Sequence, residues 1–180
     1  DAFRYAFGDS AVGPASYSAF LSIFSAAGCI SDDLLDGAAE NGIETGKSLF
    51  YYANILLGNQ GDSKGIALFN HLKAVESRMS PDDPRKPDLR AAVDGLRSIY
   101  DLSQSARNAI IKAPANKVRT VVAMENWWGP NRQKVSWREI LTGHRSVVIN
   151  LGTSEDGMVL GEEQKSEVAS ILMFALEHAI

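Results

Sequence analysis

Cysteine is almost missing from this sequence. Cys29 stands alone among 180 residues, which excludes an internal disulfide framework and fits a reducing compartment. Long hydrophobic runs are missing too. The most apolar stretch, residues 19–30, is interrupted by Ser22 and Ser25; it is too short to cross a bilayer and lacks the basic flank of a signal peptide. Proline is sparse, with three of the six crowded at positions 81, 84 and 87. The three histidines, His71, His144 and His178, lie far apart without ligand-like neighbours, so zinc spacing is absent. No nucleophile-elbow pattern occurs. These absences lead to the expectation of a cytoplasmic domain with no membrane segment, no metal site and no catalytic residues of its own. The chain opens at Asp1 rather than Met and stops at Ile180 inside an apolar run, as expected of an excerpt from a longer protein.

With 45% hydrophobic and 22% charged residues, the chain has enough apolar material for a packed core and too little charge density for disorder. The net charge of −4 conceals a polarised distribution. Residues 32–44 carry five acids and no base, residues 107–145 carry eight bases against Glu125 and Glu139, and from Leu151 onward six acids face only Lys165.

Up to about residue 126 the pattern is helical. Tyr17, Phe20, Leu21 and Phe24 share a face over 15–28, with Gly28 as a stop. Ser31 followed by acids predicts a capped second short helix. Leu49, Tyr52, Ala53 and Leu56 predict a helix over 45–57, and Leu68, Leu72 and Val75 another over 64–79. The prolines at 81–87 break the chain. Asp88 then opens the longest pattern, in which Leu89, Val93, Leu96, Tyr100, Ser103, Arg107 and Ile110 keep one stripe until Pro114 closes it; a further helix follows over 116–125. After the Gly129-Pro130 loop the character changes. Ser136 and Glu139 have capping-box spacing for a short helix. Val147-Val148-Ile149-Asn150-Leu151 reads as a buried strand, because β-branched residues crowd it without alternation. Residues 162–180 read as a helix with Val168, Ile171, Leu172, Ala175 and Leu176 inward. One strand cannot form a sheet with itself. The expected fold is therefore mainly α: a helical bundle over 1–130, then a strand–loop–helix segment over 131–180 whose strand requires partners from elsewhere.

Two constellations bear on chemistry. Gly42-Ile-Glu-Thr-Gly46-Lys47-Ser48 approaches a phosphate-binding loop, but the spacing places the first glycine at 41, where Asn41 stands. No buried strand precedes it, and the acids before it would repel an anion. An ordinary helix start is expected there. The second constellation is the basic segment in which Arg132, Lys134, Arg138 and Arg145 flank Trp127, Trp128 and Trp137. Cations neutralise phosphates and indoles stack on bases or on the cations; equally, the tryptophans could anchor the helical part on a neighbour with solvated bases around them. No catalytic residue and no metal ligand is identified.

From Trp127 to Ile180, the run Trp-Trp-Gly-Pro, then Val135-Ser-Trp-Arg-Glu-Ile-Leu, Arg145-Ser-Val-Val-Ile-Asn-Leu-Gly152 and the helix from Glu167 to Glu177 resembles the HerA/FtsK superfamily of P-loop DNA-translocating ATPases, in particular the conjugative and type IV secretion motors. The resemblance implies an all-alpha domain inserted into a RecA-like core, to which the strand and long helix belong. It further implies a parent that uses ATP and Mg²⁺, forms a homo-oligomeric ring, sits at the inner face of a membrane, and engages DNA or relaxosome and secretion-system proteins. The chain departs from the family in holding no Walker A motif and no Walker B motif: Asn150 stands where the latter needs a carboxylate. The alternative from another class is a stand-alone helical adaptor that binds protein alone.

Overall fold

In a computed structural model the chain is described over residues 13–59, 61–122, 136–143, 146–152 and 161–177. One compact unit comprises Val12–Pro130, and Asn131–Ile180 belongs to another. The first unit holds α1 (Pro14–Gly28), two 3₁₀ turns (Asp32–Leu35 and Ala38–Asn41), α2 (Leu49–Leu56), α3 (Asp62–Arg78), α4 (Lys86–Tyr100) and α5 (Gln104–Val122). The described part of the second holds α6 (Trp137–Thr142) and α7 (Glu162–Glu177). All regular structure among the described residues is helical.

Helix α1 is the hub of the first unit, packing on α2, α4 and α5, while α3 lies against α2, α4 and both 3₁₀ turns. Ile23, Leu56, Leu68, Leu72, Leu89 and Leu96 are fully buried at its centre. The hub is narrow because its buried face is built from small residues: Ala19, Ala26 and Ala27 join Phe20 and Ile23. Of the face expected over 15–28, Phe20 is buried and Tyr17 and Phe24 are half-buried, whereas Leu21 is 45% exposed. Phe24 stacks on Phe20, 4.3 Å between centroids, and meets Phe50 edge-on at 6.0 Å. A Cβ built on Gly95 of α4 would lie 3.1 Å from Ser22 Oγ of α1, so the absence of a side chain there sets how closely these two helices approach.

Helix boundaries differ from the sequence expectation at several points, the start of α4 at Lys86 rather than Asp88 among them. Helix α2 begins at Leu49 rather than 45, because Gly46 takes a positive φ of 68° and Ser48 supplies the cap, its Oγ accepting from Tyr51 N at 3.3 Å. Ser48 is buried, and Ser48→Ala is expected to cost about 1 kcal/mol, read as a lower urea midpoint at an unchanged slope. The long stripe from Asp88 divides at 101–103 into α4 and α5, with the Asp101 N–H bonding back to the Arg97 carbonyl to end α4. Pro114 does not end α5 but sits inside it, buried against the unit. An interior proline forfeits one intrahelical bond, at a cost of about 3 kcal/mol in an isolated helix, and burial of Ile111, Pro114 and Ala115 offsets that loss. At the N-terminal end of α4, Pro87 occupies the first turn, where its missing N–H has no partner to lose.

The expected strand at Val147–Leu151 does not form. Residues 146–151 have no regular structure, and Val147, Val148 and Ile149 are 44%, 94% and 45% exposed. The reason is one of pairing: a strand is stabilised by a neighbouring ladder, and no strand occurs among the described residues. Asn150 turns the backbone, its Oδ1 accepting from Gly152 N at 2.9 Å. In α7 Val168 is buried as expected, whereas Ile171, Leu172, Ala175 and Leu176 are half-buried.

Candidate functional site

The glycine-rich segment before α2 is the obvious place to look for anion binding, and the chain has filled it with its own carboxylates. Gly46 N donates to Asp32 Oδ1 at 2.6 Å, so the backbone N–H that a phosphate would use is taken by an acid from the first 3₁₀ turn. Lys47 Nζ pairs with Glu44 Oε2 at 2.9 Å and lies 5.5 Å from the Tyr51 ring centroid. Ser48 is committed to capping α2. Tyr52 Oη donates to the Glu44 carbonyl at 3.2 Å, which fixes the turn from its other side. The hydrogen bond from Lys47 holds the Glu44 carboxyl below the usual carboxylate range. The loop's Gly46 N–H, its lysine and the Ser48 hydroxyl thus all have partners within the chain.

Trp127, Trp128, Arg132, Lys134 and Arg145 lie outside the described residues. Trp137 and Arg138 occupy the first turn of α6, Trp137 half-buried and Arg138 exposed. As the capping-box spacing predicted, Ser136 Oγ accepts from Glu139 N, at 3.3 Å. His71 is structural: its Nε2–H donates to the Leu34 carbonyl at 2.8 Å, tying α3 to the first 3₁₀ turn. Among the described residues no group of three His, Cys, Asp or Glu side chains converges as metal ligands would, and no helix is long and apolar enough to cross a membrane.

Cys29 caps the end of α1 at the rim of a cleft of about 430 Å³ lined by Ser22, Ser25, Asp88 and Ala92. Burial, and secondarily the negative charge of Asp88, push its thiol above the ordinary value of 9.0. Since the thiolate is the reactive form, alkylation of the folded chain by iodoacetamide at pH 7.5 is expected to be several-fold slower than that of the urea-unfolded chain. Its pH midpoint should lie above that of the unfolded chain. Equal rates would show that the thiol is neither shielded nor shifted.

Sequence reasoning missed one polar cluster altogether. At the junction of α3, α4 and α5, Asp62 Oδ2 accepts from Gln104 Nε2 at 2.7 Å and from Arg107 Nη2 at 3.4 Å. Arg107 is 6% exposed, with its guanidinium 5.4 Å from the Tyr100 ring centroid. Tyr100 stacks on Phe69 at 5.0 Å and donates from Oη to the Leu56 carbonyl at 2.9 Å. Burial pushes the Tyr100 phenol up, which keeps it a neutral donor. The signal available in the sequence was the placement of Arg107 on a mainly apolar stripe; its partner, 45 residues away, left none. The cluster is a fastening between helices, with its donors and acceptors turned on one another rather than toward a ligand. No family model, no curated protein and no solved structure matches this chain.

Proposed function

We propose that this chain is the helical insertion of a P-loop motor ATPase of the conjugative or type IV secretion kind, followed by a strand and helix of its RecA-like core. The helical unit engages DNA or a partner protein, while ATP and Mg²⁺ are handled by other parts of a ring-forming parent. The observation that carries the reading is the Val147–Ile149 segment: a β-branched, exposed run without a ladder has the composition of an inner strand of a parallel sheet. Two further features support it. The helical unit keeps a core of its own, as an inserted domain must, and its one glycine-lysine loop is occupied by Asp32 and Glu44, leaving nucleotide chemistry to be supplied from outside it.

Reading the coding sequence on both sides of residues 1–180 and assaying its product tests the proposal. The expected result is a Gly-x-x-x-x-Gly-Lys-Ser/Thr motif before residue 1, a hydrophobic run ending in Asp-Glu after residue 180, and Mg²⁺-dependent ATP hydrolysis lost when the motif lysine is replaced. Absence of both motifs, with protein capture but no hydrolysis, would replace the motor reading by that of a helical adaptor.

A further inference from the structure

Helix α5 carries four bases and no acid over its nineteen residues. Arg107 is turned inward onto Asp62. On the opposite side Ser105, Asn108, Lys112, Asn116 and Arg119 follow one another at spacings of three and four, all exposed, so they share one face of the helix. From Ser105 to Arg119 the face runs about 21 Å at 1.5 Å per residue. Elsewhere in the helical unit several bases are matched by acids, Lys47 with Glu44, Arg85 with Asp33 and Asp83, Arg90 with Glu76 and Arg97 with Asp94, while exposed Lys73 and Arg78 have no acid partner among the described residues. Among the described residues neither Lys112 nor Arg119 has such a partner. The face is an unneutralised cationic strip whose other members are a hydroxyl and two amides, the side chains that position proteins on a phosphodiester backbone.

We infer that the Ser105–Asn108–Lys112–Asn116–Arg119 face of α5 is a nucleic-acid backbone contact, binding phosphates without reading sequence. The inference rests on the reading above for the nature of the polyanion, and it assigns the contact to the helical unit rather than to the tryptophan segment. Charge complementarity selects the occupant: a strip with cations, amides and a hydroxyl, no acid and no large apolar anchor suits a line of phosphates better than an apolar protein surface. At the N-terminal end of the strip Asp101 ends α4, and Asp62 is held by Gln104 and Arg107.

Fluorescence anisotropy of the whole chain with labelled 20-nucleotide single strands and the corresponding duplex, between 50 and 200 mM salt, tests this. Wild type is expected to bind with a steep salt dependence, and K112E/R119E to lose roughly tenfold or more in affinity at low salt. The log–log salt slope on duplex should shrink by about 2 as two phosphate contacts disappear. K73E/R97E, on exposed positions of α3 and α4, should bind as wild type does. If charge reversal unfolds the chain, judged by circular dichroism, K112Q/R119Q serves in its place with the same expected direction. Binding that survives in K112E/R119E but fails in R132E/K134E would overturn the α5 assignment and leave the DNA-engaging reading intact. Wild type that binds neither DNA form, or binds only anionic vesicles, overturns the assignment, while the motor reading still stands or falls on its flanking motifs.

Discussion

Gly65→Val is expected to remove about 4 kcal/mol of stability, a large part of the 5–15 kcal/mol typical of a domain. A Cβ at this position of α3 would stand 2.6 Å from Tyr100 Oη and 2.9 Å from the Ile55 carbonyl oxygen. The first neighbour is the end of a side chain that is itself fixed by stacking on Phe69 and by its bond to Leu56. The second is backbone of α2 and cannot turn away. Overpacking of this kind costs about 1–3 kcal/mol for a modest insertion, and valine adds two methyl groups beyond the Cβ. Gly65→Ala should therefore cost about 2 kcal/mol even though alanine is the better helix former by about 1 kcal/mol. A double-mutant cycle separates the two neighbours. Tyr100→Phe alone should cost about 1 kcal/mol through the lost hydrogen bond. In the Gly65→Ala background it should cost less, because it also removes one of the two collisions. Full additivity in urea denaturation would show that Gly65 and Tyr100 do not meet.

The second large effect concerns the Asp62–Arg107 fastening, and its direction is asymmetric. Removing one member of a buried ion pair leaves an uncompensated charge, typically worth 3–5 kcal/mol when burial is complete. Here Arg107's side chain is 8% exposed and Asp62's 30%, with 3.4 Å between the charged atoms. Solvent access to the acid reduces the expectation for Asp62→Ala to about 2 kcal/mol. Arg107→Met should cost about 1 kcal/mol: the thioether chain replaces the arginine stem against the Tyr100 ring, and the acid left behind keeps Gln104 as a donor. The double variant Asp62→Ala/Arg107→Met should be no less stable than Asp62→Ala alone. Thermal midpoints followed by circular dichroism give the comparison, and a double variant less stable than wild type by the sum of the two single costs would show that the two side chains are uncoupled.

The sequence carried the existence of the helices better than their limits, for reasons visible at particular residues. The stripe Leu68–Leu72 belongs to the core because α3 is covered on one side only, by α2, α4 and the 3₁₀ turns. The stripe from Leu89 to Ile110 looked continuous because Tyr100 and Arg107 face the same junction from two different helices; periodicity registers facing, not the turn at 101–103 between them. Pro114 was a stop signal overridden by packing, as local propensity is when an apolar face is well buried. On α1 the alanines at 19, 26 and 27 share the buried face with Phe20 and Ile23, since close helix approach favours small side chains, and a stripe of large residues alone does not mark them. Of the candidate contact residues, only Trp137 and Arg138 fall among the described residues. Within the basic segment Lys112 and Arg119 have no aromatic neighbours in the sequence to mark them.

In the proposed reading the glycine–lysine loop is closed by its own acids and nucleotide is handled elsewhere. Equilibrium dialysis of radiolabelled MgATP against the 180-residue chain tests it most directly. No saturable binding is expected at concentrations where P-loop motors are filled, and no change when Lys47 is replaced by alanine. Stoichiometric binding that Lys47→Ala abolishes would contradict that reading, because Lys47 would then have to leave Glu44, and the Gly46 N–H leave Asp32, to receive the phosphates.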